Sequence, residues 1–462
     1  MHDIPAIAGT ILRSNDGTVF DSSHRMFNTF VVQEPCVVAQ VSNAQDVSKL
    51  VRYAAKKHYT LRTRATGVGF AGFSTCSGPK CLVISLLNMN DIHIGTEQAH
   101  VGGGITNAKF LFELAKMKYK VVTGTCAVVG FAGLSLGGGL STQMREHGLA
   151  ADNIDAMTVV VANGDIVTAS RTSHPDLYWA LRGGGNNNYG VVTQFTVRIY
   201  TTAGQQYQVR DIDVPREDAV KGILEWQRWK ETLPNRAFTQ LSINTAGLRT
   251  NYNIALTLTG SQAEMDTLTN DFNLTSAVVR ADANPTCTGT NMTWIESAIC
   301  YAWCGFNERS PGARSRMAFE DLSETDIMGL IDAFDTIHSS PCTFSNADIL
   351  LDGLGGQVKV PTVDYNAFPH RKARYSLQYN VYWIAANANT ANARACTNWL
   401  KSVHAGKHGL SDFAYRNYIA VGSSGNQESH YGANYARLQA VKDIYDPNNV
   451  FKFPIGVNPT AH

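Results

Sequence analysis

The sequence predicts an α+β protein built from two or three structural units, and three observations lead to this prediction. The chain has 462 residues, which is more than one hydrophobic core usually serves. Short apolar runs alternate with glycine clusters, and no internal repeat stands out, a pattern typical of mixed helices and strands. Near residue 202 the glycine clusters thin out and alternating segments begin. We therefore expect a domain boundary there.

The charge of the chain argues against broad electrostatic partners. Lysine and arginine total 39, aspartate and glutamate total 38, and charged residues make up 17% of the chain. Nucleic acids and anionic membranes bind concentrated basic surfaces, so neither is expected as a partner. No apolar run approaches the roughly 20 residues that span a bilayer, and the start of the chain lacks the features of a signal peptide. The expected partner is a small molecule.

The cellular compartment is left open by these features. Nine cysteines are compatible with disulfides, for example a local loop between Cys76 and Cys81. The N-x-S/T triplets that begin at Asn273 and Asn291 would suit surface loops of a secreted protein. A mature secreted chain and a cytoplasmic protein are both consistent with the sequence.

The first 202 residues contain the clearest elements. Apolar residues at helical spacing over 45–58, after the potential caps Ser42 and Asn43, predict an amphipathic helix. A strand is expected over 60–64, and the continuous apolar run over 81–87 predicts a strand buried on both faces. Further along we expect a helix over 107–118 and strands over 120–123, 157–162 and 191–200.

Later segments favour a second kind of architecture. Alternating residues over 239–243 and 253–258 predict strands, and a helical pattern covers 218–233. This combination indicates an antiparallel sheet with helices on it. The last fifty residues again contain several short motifs, which suggests that the chain returns to the first domain. The expected domains are residues 1–202 with a core of about 31–202, residues 203–412, and residues 413–462.

Two glycine-rich loops are the first candidate site. They cover residues 64–72 and 124–139. Glycines allow backbone N–H groups to approach a phosphate closely, and a run of them can form an anion-binding nest. Neither loop has the spacing of the Rossmann or Walker motifs. Tight turns without a ligand are the alternative, and the residues alone indicate no more than a possible dinucleotide site.

The second loop carries a resemblance to a known family. Its run Gly-Thr-Cys-x-x-Val-Gly-x-x-Gly-x-x-Leu-Gly-Gly-Gly, with Cys126 as the cysteine, resembles the flavin-attachment segment of the FAD-linked oxidases that include berberine bridge enzyme and fungal carbohydrate oxidases. Further similar motifs are Asp176-Leu-Tyr-Trp-Ala-Leu-Arg-Gly-Gly-Gly, Tyr431-Gly-x-Asn434 and Tyr445-Asp-Pro447. The resemblance implies a two-part PCMH-type FAD-binding domain of the vanillyl-alcohol oxidase superfamily, followed by a substrate domain.

The first loop departs from this family pattern. Relatives commonly attach the flavin to a histidine there, whereas Val68 occupies the matching position. The resemblance then implies a single 6-S-cysteinyl link through Cys126, or a tightly held noncovalent flavin if that bond does not form. Reserving Cys126 for the flavin leaves an even number of cysteines. Loss of one link should also lower the flavin potential, which disfavours unactivated alcohols as substrates.

The resemblance also implies the residues around the cofactor and substrate. Tyr418 matches a tyrosine that takes the substrate proton near flavin N5, and Gln378 matches a polar position that orients the substrate. A tyrosine with a pKa near 10 needs a nearby positive charge or hydrogen bonds to the phenolate for this role, and Arg374 or Arg416 could contribute. Phe70 and the oxygen-access position Val129 line the expected pocket. The expected FAD contacts are Arg64, Ala65, Thr66, Gly67, Val68, Gly69, Gly124, Thr125, Cys126, Val129, Gly130, Gly133, Gly137, Gly138, Asn153, Gly190, Val192 and Tyr418.

Histidine and metal chemistry are not expected. His370 precedes a predicted strand and is interpreted as a structural hydrogen-bonding group. The pair Cys300 and Cys304 lacks a second pair at zinc-ligand spacing, so no metal is predicted.

The favoured function is an FAD-dependent oxidase of a small, fairly apolar metabolite such as an alcohol, phenol or amine of a natural-product pathway, with O2 reoxidising the flavin to give H2O2. Apolar residues at Phe70 and Ile419-Ala420 favour this pocket character. A carbohydrate oxidase of the same family is the close alternative. A redox-silent flavoprotein that catalyses a cyclisation is the second alternative.

Overall fold

A small mixed sheet begins the fold. The computed structural model describes residues 4–185, 187–245, 249–280, 292–301, 310–362, 364–383, 390–419 and 427–460. The four strands of the first sheet lie in the order β1-β2-β4-β3, and β4 is parallel to both β2 and β3. Their bounds, with those of the two helices between them, are β1 Thr10–Arg13, α1 Thr18–Ser23, β2 Pro35–Gln40, α2 Ala44–Lys57, β3 Thr60–Arg64 and β4 Gly78–Ser85.

A second sheet completes the first part of the chain. It has the order β5-β6-β10-β8-β9, and every pairing in it is antiparallel. The two-residue strands β7 and β11 pair separately. The bounds are β5 Ile92–Ile94, β6 Gln98–Gly102, α3 Asn107–Lys116, β7 Tyr119–Lys120, α4 Phe131–Leu136, α5 Met144–His147, β8 Ile154–Val161, β9 Ile166–Ser170, α6 Pro175–Leu181, β10 Gly190–Arg198 and β11 Tyr200–Thr201.

The third sheet is the largest. It has the order β15-β12-β14-β13-β17-β18-β16 and is antiparallel throughout its described pairings. The bounds are β12 Tyr207–Val214, α7 Ala219–Thr232, β13 Ala237–Thr245, β14 Thr250–Thr259, α8 Gln262–Asn270, β15 Val278–Arg280, α9 Trp294–Tyr301, β16 Ser310–Ala318, α10 Glu324–Asp335, β17 Asn346–Gly353, β18 Tyr375–Trp383 and α11 Thr390–Ala405.

The two faces of the third sheet differ in polarity because side chains alternate along each strand. One face carries apolar residues that pack with helices α7, α10 and α11 into one core, among them Leu241, Leu351, Leu377, Trp226, Phe334 and Trp399. Register places a polar set on the opposite face, namely Gln240, Asp348, Asp352, Ser376, Gln378 and Asn380. We call this second side the polar face.

The C-terminal helices α12 Gln427–Tyr431 and α13 Tyr435–Tyr445 pack on the first part of the chain. Lys442 Nζ donates 2.6 Å hydrogen bonds to Asn188 O, Phe451 O and Asp446 Oδ2. Tyr189 Oη reaches Leu438 O at 3.3 Å. These contacts support the expected return of the last segment, while the boundaries at residues 202 and 412 stay predictions.

The predicted α+β class is confirmed, with differences at element ends. The helix expected over 107–118 ends at Lys116, because Lys118 has φ 58 in the left-handed region. The strand expected over 120–123 is reduced to Tyr119–Lys120. The expected Cys76–Cys81 disulfide is present. Asn273 is exposed, whereas Asn291, Cys304 and Ala420 lie outside the described residues.

Candidate active site

Residues 415–418 connect the second glycine-rich loop to the rest of the site. Tyr415 Oη accepts the N–H groups of Gly139 at 2.9 Å and Leu140 at 3.2 Å. Asn417 Nδ2 donates to Leu134 O and to Tyr415 Oη, both at 2.8 Å. These bonds hold the segment that ends in Tyr418 against the loop.

The same segment also contacts the third sheet and the first loop. Ser315 Oγ accepts the Tyr415 N–H at 3.0 Å, and Ser315 is the cross-strand partner of Gln378 on the polar face. Ile419 packs with Ala71 and Phe73. The structure therefore brings Tyr418 and Gln378, which are 40 positions apart in sequence, into one region beside both glycine-rich loops.

Glycines allow the two loops to touch. A Cβ atom on Gly130 would lie 2.9 Å from Ala65 Cβ and 3.2 Å from Thr66 Cγ2. A Cβ on Gly137 would lie 2.0 Å from Asn417 Oδ1, and Gly138, at φ 121, would meet the Phe368 ring at 2.8 Å. Side chains at these positions would separate the loops or displace the 415–418 segment.

The backbone of both loops suits an anionic ligand. Within the part of the chain that the structure describes, the N–H groups of residues 66–71 have no hydrogen-bond acceptor, and neither do those of Thr125, Ala127 and Val128. A Cβ on Gly69 would meet nothing within 4 Å, so space remains beside the first loop. Unbonded N–H groups at touching glycine-rich loops match the acceptor oxygens of a pyrophosphate, and the residues present therefore fit a dinucleotide.

Several expected contacts use their side chains within the protein instead. Arg64 donates through Nη1 to Ser23 O at 2.8 Å and through Nη2 to Arg25 O. Asn153, fully buried, donates to His147 O at 3.1 Å and Leu149 O at 2.8 Å. The Asn153 side chain is fully bonded, since its Oδ1 also accepts the Tyr200 hydroxyl at 2.5 Å, whereas Arg64 Nε is buried without a partner.

The remaining expected contacts are placed as follows. Phe70 lies edge-on to Phe27 with ring centroids 6.0 Å apart. Val129 O accepts the Asn107 N–H at 2.9 Å, and Val68 and Thr125 are half-buried. A Cβ on Gly67 would meet the Arg64 guanidinium, and a Cβ on Gly124 would meet Leu134. Gly133 lies in helix α4. Gly190 and Val192 lie in strand β10, which pairs with β8.

The electrostatics at Tyr418 differ from the expectation. Burial raises its pKa well above 10, and the Asp352 carboxylate raises it further. Arg416 donates to Tyr431 Oη at 3.0 Å, and Arg374 pairs with Asp321 at 2.9 Å and Glu231 at 3.3 Å. Neither arginine is among the groups that act on the Tyr418 pKa. The suggested contribution of Arg374 or Arg416 at Tyr418 is therefore not supported.

Two buried carboxylates on the polar face were missed from the sequence. Burial raises the pKa values of Asp348 and Asp352 to about 6. Asp352 Oδ1 accepts Gln240 Nε2 at 2.6 Å, and Asp348 accepts Asn380 Nδ2 at 2.6 Å and Asn346 Nδ2 at 2.9 Å. The signal was present in the run Asp348-Ile-Leu-Leu-Asp352, because carboxylates four residues apart on a strand share a face.

Comparison with known proteins relates parts of the chain to two family models and to several oxidases. Residues 35–170 match the model of an FAD binding domain, and residues 414–458 match the model described as berberine and berberine like. Reticuline oxidase of Eschscholzia californica is 24% identical over 95% of this chain and 86% of that protein. (R)-6-hydroxynicotine oxidase of Paenarthrobacter nicotinovorans is 37% identical, over 42% of each chain.

Two parts of the chain thus match the models of an FAD binding domain and of berberine-like enzymes, and the chain resembles berberine bridge enzyme-like FAD-linked oxidoreductases over nearly its whole length. Its fold matches a chitooligosaccharide oxidase with a TM-score of 0.86 at 23% identity, over 98% of both chains. Berberine bridge enzyme from Eschscholzia californica matches with a TM-score of 0.84 at 23% identity, over 98% of this chain and 97% of that one. The protein is thus an FAD-dependent oxidoreductase, as predicted. Among the described helices, none is long and apolar enough to cross a membrane.

The Cys126 thiol, which the sequence predicts as the flavin attachment, is not free in the structure. Its sulfur is disulfide-bonded. The free cysteine of the described part is the buried Cys36. A disulfide sulfur cannot form a thioether to flavin at the same time, so the structure does not contain the predicted attachment through Cys126.

His370 has a structural environment. Its ring Nε2 lies 3.1 Å from Ala414 O, and burial lowers its pKa to about 4. The imidazole is therefore neutral at physiological pH. No group of residues that could hold a metal ion occurs in the described ranges.

The Gly130 contact provides a first prediction. Gly130→Ala should weaken FAD binding at least tenfold, because its Cβ would push the two loops apart. FAD per chain after gel filtration, followed by calorimetric titration of the apoprotein, measures the effect.

A compensating variant is the control for this prediction. Gly130→Ala combined with Ala65→Gly removes the nearest collision and should recover a large part of the affinity. Equal FAD affinity in wild type and Gly130→Ala would show that the loop contact does not shape the cofactor site.

Proposed function

We propose that this protein is an oxidase that removes hydride from a carbon of a small-molecule substrate and delivers the electrons to O2, giving H2O2. The observation that carries the proposal is the position of residues 415–418, which join the glycine-rich loops to the polar face. FAD, when bound, supplies the hydride acceptor and the reaction with O2. The protein supplies orientation, exclusion of water and a destination for the substrate proton.

The proton route uses Tyr418 and Asp352. A tyrosine with a raised pKa is almost entirely protonated at neutral pH, so its phenolate cannot be the base. We infer that the substrate proton passes to Tyr418 Oη while that hydroxyl releases its own proton toward Asp352. The carboxylate is ionised above a pKa of about 6, and the transfer leaves it neutral. Gln378 orients the substrate beside this pair.

The polar face affects which class of substrate we propose. An alcohol, phenol or amine remains the favoured substrate class, but its reacting end faces carboxylates and amides rather than the apolar wall predicted from Phe70. A carbohydrate oxidase is the second candidate, because hydroxyl-rich ligands need many polar partners. No observation favours the redox-silent alternative.

The flavin is proposed to be held noncovalently while Cys126 is in its disulfide, and the thioether requires that disulfide to open. The test is acid precipitation of wild type and Cys126→Ser, each purified without reductant, with flavin measured in pellet and supernatant. We expect flavin in the supernatant for both. Flavin in the wild-type pellet, released by Cys126→Ser, would instead establish the thioether.

The oxidase activity is tested by peroxide release. A panel of benzylic alcohols, phenols, cyclic amines and oligosaccharides is incubated with the flavin-loaded protein in air, and bleaching of the flavin is followed without O2. Peroxide with one class assigns the substrate. A flavin that no compound in the panel bleaches would contradict the oxidase proposal.

A further inference from the structure

A line of hydrogen bonds runs along the polar face to Gln378. Gln378 Nε2 donates to Asn380 Oδ1 at 3.1 Å, and Asn380 Nδ2 donates to Asp348 Oδ1 at 2.6 Å. All three side chains are at least nine-tenths buried. Asp348 and Asn380 are cross-strand partners, and Gln378 is two residues from Asn380 on the same strand face.

The chemistry of the carboxylate dictates the direction of this line. An ionised carboxylate only accepts hydrogen bonds, so Asn380 must turn its NH2 group toward Asp348. The carbonyl of Asn380 then faces Gln378, which must also present its NH2 group. A reversed Asn380 would set its carbonyl oxygen against the carboxylate, and a reversed Gln378 alone would set its carbonyl oxygen against that of Asn380; either pair of acceptors is costly in a buried site.

The line leaves the carbonyl oxygen of Gln378 as an acceptor for the ligand. With one N–H of its amide bonded to Asn380, Gln378 presents Oε1 away from Asn380, and among the described residues no donor bonds to this oxygen. Oε1 is also absent from the buried polar atoms that lack partners, so it borders open space. That space lies on the polar face beside Ser315 and the 415–418 segment.

We propose that Asp348, acting through Asn380, fixes Gln378 as a hydrogen-bond acceptor, so that the site selects a substrate with an O–H or N–H donor at this position. Asp348 and Asn380 are positioning residues, and Gln378 determines specificity. The proposal deepens the oxidase function and rests on it for the location of the substrate. It predicts that a ligand with a donor at this position binds more tightly than a ligand of similar size that lacks one.

The test compares phenol with fluorobenzene, which has a similar size but no donor. Binding to the flavin-loaded protein is measured by ligand-observed NMR titration at pH 8, where Asp348 is ionised. Wild type should bind phenol between about twofold and tenfold more tightly than fluorobenzene, the effect of one hydrogen bond. Gln378→Leu should bring the ratio close to one.

The positioning residues have their own variants. Asn380→Leu breaks the line, and the isosteric Asp348→Asn keeps the fold but can donate as well as accept. Each should move the phenol-to-fluorobenzene ratio at least halfway from the wild-type value toward one, with fluorobenzene affinity unchanged within about twofold. Asn253→Leu is the matched control, because it removes a 3.0 Å bond to Asp213 elsewhere on the sheet, and it should leave the ratio unchanged.

The outcomes separate this proposal from the oxidase proposal. A ratio that stays closer to the wild-type value than to one in both Asp348→Asn and Asn380→Leu overturns the positioning role, whatever the activity. A ratio unaffected by Gln378→Leu overturns the acceptor role. Because the readout is binding without turnover, failure of the protein to reduce FAD would contradict the oxidase function alone.

Discussion

Asp352→Asn is expected to lower kcat by about 10²- to 10⁴-fold, the usual contribution of a positioned general base. The amide cannot take the proton that Tyr418 releases, whereas its shape still accepts the hydrogen bond from Gln240. In wild type, kcat/KM should rise with pH through about 6, because the carboxylate acts as a base only when ionised. The variant should lose this rise.

The rate of flavin reduction, measured by stopped flow from about pH 5 to about pH 8, tests this effect. This range lies on both sides of the Asp352 pKa of about 6. Asp211→Asn is the matched control, since burial also raises the Asp211 pKa to about 6 and the residue lies on β12, next to the edge strand β15 of the same sheet. The control should keep both rate and pH profile. Tyr418→Phe should reduce the rate to a similar degree, and a double variant no slower than either single variant would show that the two residues act as a unit.

Lys442→Met is expected to reduce the free energy of unfolding by about 3–5 kcal/mol, the cost of breaking a buried ion pair. The Lys442 and Asp446 side chains are both fully buried, 2.6 Å apart. Removal of the ammonium leaves the Asp446 carboxylate without its partner charge and also leaves Asn188 O and Phe451 O without a donor. Chemical denaturation followed by tryptophan fluorescence measures the loss.

Two further variants define the origin of that loss. Lys442→Met combined with Asp446→Asn should be more stable than Lys442→Met alone, because no buried charge remains. Lys221→Met removes an exposed pair with Asp218 and should change stability by no more than about 0.5 kcal/mol. If Lys442→Met reduced the free energy of unfolding as little as Lys221→Met, the C-terminal segment would not depend on the buried ion pair for its stability.

Local sequence was sufficient where a single segment decides the structure. The amphipathic pattern over 45–58 predicted a helix that the structure has at Ala44–Lys57, with Asn43 capping the Asp46 N–H. The glycines of both loops predicted close backbone approach, and the distances at Gly130 and Gly137 agree. In these cases the cause, helical spacing or a missing Cβ, is visible in the chain itself.

The sequence by itself determined the family, the flavin-binding class and the two loops, because each depends on residues that are close together in the chain. Tertiary structure decided the environment of Tyr418, the polar face and the state of Cys126. Asp352 acts on the Tyr418 pKa, and Asp348 connects to Gln378 through Asn380, only because the fold brings together residues that are distant in the sequence. A pKa depends on burial and on neighbouring charges in space, and no local pattern around Tyr418 carries that information.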